Sequence, residues 1–351
     1  MRRFACVLII GCLCALSTAQ AIVEGSAADA AAETVEDANT FAELLEAAYV
    51  GDANAMYDAA RAYFHGEYTV QDTAKAVEWL GKACEAGHSR AMLHLGLMYK
   101  NGLGVEKNDD EAVILFRKSA RAGNLKAMHN LGIAYEYGEG VQRNSIEALQ
   151  WYQQAVDGGD LCAMVSLGWM YKRGDGVAEN EDKAFQLFLK AAEGGHTGAM
   201  YNVGFAYECG DGVEGDMSTA IQWYRKAAEA GNSGGMFALG NLYHKGKGIA
   251  QNNSEAARWY HKAADAGNWG AMLNLALLYE CGMGVAKDSA AADAWYQKAL
   301  ELRSSGPSGS SQFRPEDSQV RITVELRDSD DRGEVGEPPD EELLDLAGVD
   351  E

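Results

Sequence analysis

A glycine recurs every 36 residues through most of this chain, at Gly51, Gly87, Gly123, Gly159, Gly195, Gly231 and Gly267. In each unit a methionine stands five places after the glycine and a tyrosine twelve places after it. A period between 20 and 50 residues is typical of arrays whose units bury their apolar faces only against neighbouring units. The chain is therefore predicted to be a solenoid, and its function is sought on the surface that the array presents.

Each unit contains signals for two helices. In the third unit, Asn124 is a candidate N-cap for the first helix, Gly138 ends that helix, and Asn144 caps the second. His88 and His196 occupy the first cap position in other units. All four prolines lie beyond residue 302, which suits helices throughout the repeats. We predict an all-α, right-handed α-solenoid of seven 36-residue helix-turn-helix repeats.

The repeats are predicted to fill residues 51–302. Their boundaries are 51–86, 87–122, 123–158, 159–194, 195–230, 231–266 and 267–302. An acidic leader, 22–50, precedes them and includes a capping helix at about 35–50, as a repeat array requires. Residues 303–351 are predicted to form a disordered acidic tail, because eleven acids and one arginine follow from Asp328 onward.

Residues 1–21 have the composition of an export signal. Arg2 and Arg3 precede an apolar run, and Ala19-Gln20-Ala21 fits a cleavage site. The run of about thirteen apolar residues is too short for a membrane span. Lipidation at Cys12 is a less favoured alternative. We expect a mature protein outside the cytoplasm, periplasmic or secreted in a bacterium and lumenal in a eukaryote, with no membrane span.

The remaining composition limits the classes of ligand. The net charge of −22 disfavours nucleic acid as a partner, because phosphate binding needs a basic face. Four cysteines remain after cleavage, at Cys84, Cys162, Cys209 and Cys281. Cys209 and Cys281 occupy the same place two repeats apart, and Cys84 and Cys162 also lie in non-adjacent repeats, so free thiols are predicted. No spacing typical of a metal site occurs, so no metal or cofactor is expected.

The repeat pattern resembles a known family. A-M-x-x-L-G-x-x-Y, then G-x-G-V, then an Asx-capped helix with A-x-x-W-Y-x-x-A-A is similar to the Sel-one-like repeat, a relative of the tetratricopeptide repeat. The first unit departs from the pattern, with Ala59-Ala60 in place of Leu-Gly and Tyr68-Thr69 in place of Gly-Val. The resemblance implies a helical array with a longer loop between the two helices of a repeat; related secreted repeat proteins have been credited with hydrolase activity, but no motif in this sequence supports it.

In tetratricopeptide relatives the first helices line the concave face, and the resemblance extends this expectation to the present chain. The predicted partner-binding residues are Tyr57, Arg61, Phe64, Arg90, Lys100, Asn101, Lys126, His129, Glu136, Tyr137, Trp169, Lys172, Arg173, Tyr201, Phe205, Phe237, His244 and Lys245. Exposed aromatic and arginine side chains are typical of recognition surfaces. The alternative is that some positions on this stripe, such as Leu93, Ile133 and Phe205, pack against the next repeat. The repeated methionines and tyrosines are interpreted as core.

The leading hypothesis is an exported monomeric scaffold that holds a protein or peptide, possibly acidic and apolar, in the concave groove. The main alternative is an architectural or host-contact role through the convex face. A hydrolase is a remote alternative, because no set of nucleophile, base and orienting group is evident. The chain is therefore predicted not to be an enzyme.

Overall fold

The computed structural model describes residues 40–305, with side chains over 40–302. Throughout that range the regular elements are α-helices, beginning with α1 at 40–49. The helices that follow are α2 (Ala53–His65), α3 (Thr73–Glu85), α4 (Ser89–Asn101), α5 (Asp109–Arg121), α6 (Leu125–Tyr137), α7 (Ser145–Asp157), α8 (Leu161–Arg173), α9 (Glu181–Glu193), α10 (Thr197–Cys209), α11 (Met217–Glu229), α12 (Ser233–Lys245), α13 (Asn253–Asp265), α14 (Trp269–Cys281) and α15 (Ser289–Ser305). The predicted signal, most of the acidic leader and the tail beyond 305 lie outside the described residues.

The helices begin directly after the N-cap residues that the sequence predicts. The Asn124 Oδ1 atom accepts a hydrogen bond from the Ala127 backbone N–H at 3.0 Å. Histidine serves the same purpose at two first helices, because His88 Nδ1 accepts from Ala91 at 3.1 Å and His196 Nδ1 accepts from Ala199 at 3.0 Å. The prediction that these two histidines are caps is confirmed.

The turn between the two helices of a repeat depends on glycine. Gly138 has φ 78° and donates its N–H to the Ala134 carbonyl, which closes α6 in the left-handed conformation. Gly140 has φ 62°, and a Cβ atom there would collide with the backbone of Asp109 in the preceding repeat. This second glycine therefore serves the close approach of one repeat to the next as well as the turn.

A glycine in the first helix lets an aromatic ring of the second helix pack against its backbone. A Cβ atom on Gly132 would collide with the ring of Tyr152. The equivalent pairs are Gly96 with Phe116, Gly168 with Phe188, Gly204 with Tyr224 and Gly240 with Tyr260. The small residue thus allows close helix packing, and the ring fills the space between the helices.

The methionine register contributes to the core to different extents. Met164 and Met272 are fully buried, whereas Met128 is only partly buried against the apolar cluster that contains Leu131. Met56, Met92, Met200 and Met236 are also only partly buried, so the methionines are fully core residues at two of the seven positions. The four cysteines in the described range are free thiols.

The chain divides into two compact units, with the boundary after Gln154 inside α7. The described part of the first unit, 40–154, has a core that begins in α1, where Phe41 contacts Tyr63 edge-on with ring centroids 5.3 Å apart. The described part of the second unit, 155–305, has apolar clusters around Tyr224 and Tyr260.

Candidate functional site

The predicted partner-binding positions of the first helices differ widely in exposure. Arg90, Asn101, Lys126, Tyr137, Arg173 and Lys245 are exposed. Arg61, Phe64, Lys100, Trp169, Lys172, Tyr201, Phe205, Phe237 and His244 are partly buried. Tyr57, His129 and Glu136 are only 8%, 7% and 5% exposed. The prediction that these last three side chains face away from the core is therefore wrong.

The second helix of the same repeat explains the burial of His129 and Glu136. The His129 ring lies against the Tyr152 ring, with centroids 5.6 Å apart, and the Tyr152 hydroxyl donates to Glu136 Oε2 at 2.8 Å. The second unit repeats the arrangement, because the Tyr224 hydroxyl donates to Glu208 Oε2 at 2.7 Å. A first-helix side chain is thus covered by a tyrosine sixteen residues later. Helical periodicity alone does not detect this contact.

Lysine occupies the same register in two other repeats and makes a different contact. The residue sixteen places later is then phenylalanine, Phe116 after Lys100 and Phe188 after Lys172. The lysine instead pairs with an acid of the next repeat, and the Lys100–Glu139 and Lys172–Asp211 distances are 3.5 and 2.7 Å. The reversed pair, Glu208 with Lys247 at 2.8 Å, has the same separation of 39 residues. Each ion pair joins a first helix to the turn that follows the first helix of the next repeat.

Several other predicted residues engage in local contacts. Asn101 donates to the Leu97 carbonyl at 2.9 Å, and Arg173 pairs with Asp175 at 2.9 Å. His244 Nδ1 lies 3.0 Å from Asn253 Oδ1. The rings of Tyr201 and Phe237 lie against Tyr224 and Tyr260 of their own repeats, with centroids 5.6 and 6.0 Å apart. These contacts fix the orientation of the side chains along the first-helix surface.

An aromatic pocket lies between α8, α9 and α10 in the second unit. Its lining includes Trp169, Phe185, Phe188, Phe205, Lys172 and Asp211, and it is a shallow, partly open depression with a cavity volume of about 10 Å³. The Lys172 ammonium lies 5.4 Å from the Trp169 ring centroid and 5.1 Å from that of Phe205. The pocket therefore combines apolar walls with one ion pair. Trp169, Lys172 and Phe205 of this lining were predicted from the sequence, and Asp211 was missed. The spacing of 39 residues between Lys172 and Asp211, which other ion pairs repeat, is the pattern that could have identified it.

A basic cluster occupies the corresponding surface of the first unit. It consists of Arg61 on α2, Arg90 on α4 and Lys126 on α6, each of which lies near enough to His94 to lower its pKa. The Tyr57 ring stacks on His88 at 4.6 Å, and the Tyr57 hydroxyl lies 3.0 Å from His94 Nδ1. Burial, and then the charges of Arg61, Lys126, Arg90 and His88, lower the pKa of His94 to about 4. His94 is thus neutral at pH 7, and sequence reasoning missed it.

Over residues 40–305, no group of three or more His, Cys, Asp or Glu side chains is arranged to hold a metal ion. In the same range, none of the helices combines the length and apolarity that crossing a bilayer requires.

Comparison with known proteins identifies the repeat. The Sel1 repeat model matches residues 53–88, 89–124, 125–160, 163–196, 197–232, 233–268 and 269–304. The comparison with curated proteins finds no match.

Solved structures give the same result. A protective antigen present in uropathogenic Escherichia coli strains, displaying an SLR fold, is 36% identical with a TM-score of 0.59, over 74% of this chain and 56% of the antigen. This chain therefore spans about half the length of that antigen. A Sel1 repeat protein from Oxalobacter formigenes is 35% identical with a TM-score of 0.59, over 62% of this chain and 89% of that protein. Seven helix pairs, their glycine turns and these matches establish that the chain belongs to the Sel1 repeat family.

Proposed function

We propose that this protein is an exported scaffold that binds a partner protein or peptide on the surface of its first helices. Sel1 repeat proteins generally mediate protein–protein interactions, and the family is typically non-catalytic. The observation that carries the proposal is the aromatic pocket, where partly exposed Trp169 and Phe205 flank the Lys172–Asp211 pair. Aromatic side chains in such a setting supply large contact area, and the charges restrict orientation.

Export is the part of the proposal that rests on the sequence of residues 1–21. The basic start, short apolar run and Ala19-Gln20-Ala21 motif support cleavage before Ile22. Intact mass and N-terminal sequencing of the protein recovered from its native host test this directly. A mature chain that retains Met1 or carries lipid on Cys12 would contradict it.

The binding surface is tested by two matched tryptophan substitutions. Trp169→Leu alters the pocket, whereas Trp223→Leu alters a second helix of the same unit, where Trp223 stacks with Lys226 at 4.1 Å. Both changes place leucine where other repeats already have it, Leu97 and Leu277 in the first register and Leu115 and Leu187 in the second. Each folded variant is immobilised, and partner capture from the exporting cell is quantified by mass spectrometry. We expect Trp169→Leu to lower capture by about tenfold and Trp223→Leu to leave it unchanged.

The alternative is contact through the second-helix face. A lysine stacks on a tryptophan three residues earlier at Lys82, Lys226, Lys262 and Lys298, with distances of 3.9, 4.1, 4.4 and 4.9 Å. The Escherichia coli structural relative is described as a protective antigen. Capture that is lost with Trp223→Leu and retained with Trp169→Leu would support this alternative and overturn the first-helix proposal.

A further inference from the structure

We infer that the basic cluster of the first unit is a binding site for the side-chain carboxylates of an acidic peptide segment of the partner. The inference rests on the proposed function and names the chemistry that this part of the surface accepts. Three successive first helices each contribute one cation, Arg61, Arg90 and Lys126. The chain as a whole carries a net charge of −22, so this local excess of positive charge is an exception.

The positions of two cations are unfavourable for folding stability. Arg90 and Lys126 are the second residues of α4 and α6, whose first turns contain no acidic residue. The positive end of the helix dipole lies there, and it disfavours cations and favours anions. The equivalent residues of the other repeats are Asn54, Cys162, Gly198, Gly234 and Gly270, none of which is a cation. Helix formation therefore does not require a cation at the second position of a first helix. Binding of an anionic ligand would explain why Arg90 and Lys126 are there.

Two cations of the cluster, Arg90 and Lys126, keep their charges available to a ligand. Arg90 and Lys126 are exposed, and within residues 40–302 neither forms an ion pair or a hydrogen bond through its side chain. Burial and the charge of Arg90 lower the pKa of His88. Asp58 and Asp52 of the first repeat act in the opposite direction, with smaller effects. Asp52 is already occupied as the α2 cap, accepting from Asn54 and Ala55.

The floor of the cluster is polar and rigid. Tyr57 is buried between the rings of His88 and His94, and its hydroxyl contacts His94 Nδ1 at 3.0 Å. Burial first, and then the charges of Arg61, Lys126, Arg90 and His88, lower the pKa of His94, so these cations lie near enough to His94 to act on it together. A carboxylate that enters beside Arg90 and Lys126 would reduce the repulsion between these two cations and accept charge-assisted hydrogen bonds from the guanidinium and the ammonium.

The test uses a fluorescein-labelled hexaglutamate peptide, with hexalysine as the control peptide. Anisotropy is measured on the full mature chain at about 20 and about 300 mM NaCl, since exposed charges are screened by salt. The variant Arg90→Glu/Lys126→Glu reverses two cations of the cluster. The matched control, Lys118→Glu/Arg143→Glu, makes the same change in formal charge on a second helix and a loop of the same unit.

We expect the cluster variant to weaken hexaglutamate binding by at least about tenfold and the control by less than about threefold. The cluster variant should unfold at a temperature equal to or above that of the parent, because it places glutamates in two first turns and removes like-charge repulsion. The His94 pKa, followed by NMR, should rise in it. Equal losses in both variants, or equal binding of hexalysine, would overturn the inference.

This outcome is separable from that of the scaffold proposal. If hexaglutamate fails to bind while partner capture remains sensitive to Trp169→Leu, only the acidic-ligand inference fails. If capture is insensitive to Trp169→Leu, the scaffold proposal fails, whatever the peptide result.

Discussion

At the scale of single residues, the contacts made at the end of each first helix depend on the residue at the position of Glu136. Where that position is Glu136 or Glu208, a tyrosine of the same repeat donates to the carboxylate. Where it is Lys100 or Lys172, the tyrosine is replaced by phenylalanine and the ammonium reaches the next repeat. Tyrosine follows the glutamate sixteen residues later in three repeats, at Tyr152, Tyr224 and Tyr296, and phenylalanine follows the lysine in two.

Tyr152→Phe tests this residue pair. The substitution removes a donor from a carboxylate that is only 5% exposed, and the expected loss of unfolding free energy is about 1–3 kcal/mol. The control is Tyr296→Phe, because the Tyr296–Glu280 hydrogen bond is longer, at 3.4 Å, and solvent-exposed. It should cost less than about 0.5 kcal/mol. Urea denaturation measures both, and equal costs would show that burial does not control the contribution of the hydrogen bond.

His94 gives a second prediction, on the pH dependence of stability. Its pKa is about 4 in the folded protein, below the ordinary value of 6.5, so the unfolded chain binds the extra proton first. Stability from this group is therefore present above about pH 6.5 and is lost as the pH falls towards about 4, by at most about 3 kcal/mol. His94→Asn removes the titration and keeps a residue found in this register at Asn130, Asn202 and Asn274. Urea midpoints from pH 7 to 4.5 should fall less in the variant, and parallel curves would contradict the prediction.

At the scale of helices and turns, the sequence was most informative where a contact is local. The N-caps and the glycines that end the first helices were predictable, since each depends on backbone atoms within a few residues. The exposed stripe was predicted less well. A first helix is covered by its own second helix as well as by neighbouring repeats, and Tyr57, His129 and Glu136 are buried as a result. Asp211 and Glu139 were missed because their partners lie 39 residues away, beyond any helical period.

The two turn glycines allow a prediction that separates local strain from inter-repeat packing. Gly138→Ala should cost about 1 kcal/mol, because an L residue must adopt a positive φ. Gly140→Ala should cost more, about 2–4 kcal/mol, since its Cβ would also collide with the backbone of Asp109. Tyr68 holds the same place in the first repeat at φ 61° with half its surface exposed, so a side chain is tolerated there. Similar costs for the two variants in urea denaturation would argue against the inter-repeat contact.

At the scale of the whole molecule, charge is distributed unevenly along an acidic chain. The first unit carries the basic cluster, whereas residues 328–351, outside the described range, contain eleven acids and one arginine. Within that segment, Glu341-Glu342-Leu343-Leu344-Asp345-Leu346 has the acidic and apolar character proposed for the ligand. The 46 residues that follow α15, taken as a flexible chain, would have a root-mean-square span of about 35 Å. For a site within that span, tethering raises the effective concentration of the segment towards the millimolar range, so that a weak contact is partly occupied.

We therefore predict that the tail competes with an external acidic peptide. Deleting residues 328–351 should tighten hexaglutamate binding by about threefold to tenfold at low salt and by less at about 300 mM NaCl. A full-length control, in which Asp340, Glu341, Glu342 and Asp345 become the corresponding amides, keeps the length and apolar residues but removes four charges. It should reproduce most of the gain if the attraction is electrostatic. In the Arg90→Glu/Lys126→Glu background, tail deletion should not tighten hexaglutamate binding. The tail and the peptide then no longer have the two cations for which they compete. Unchanged affinity after deletion would leave the tail as a solubilising extension and remove the proposed competition.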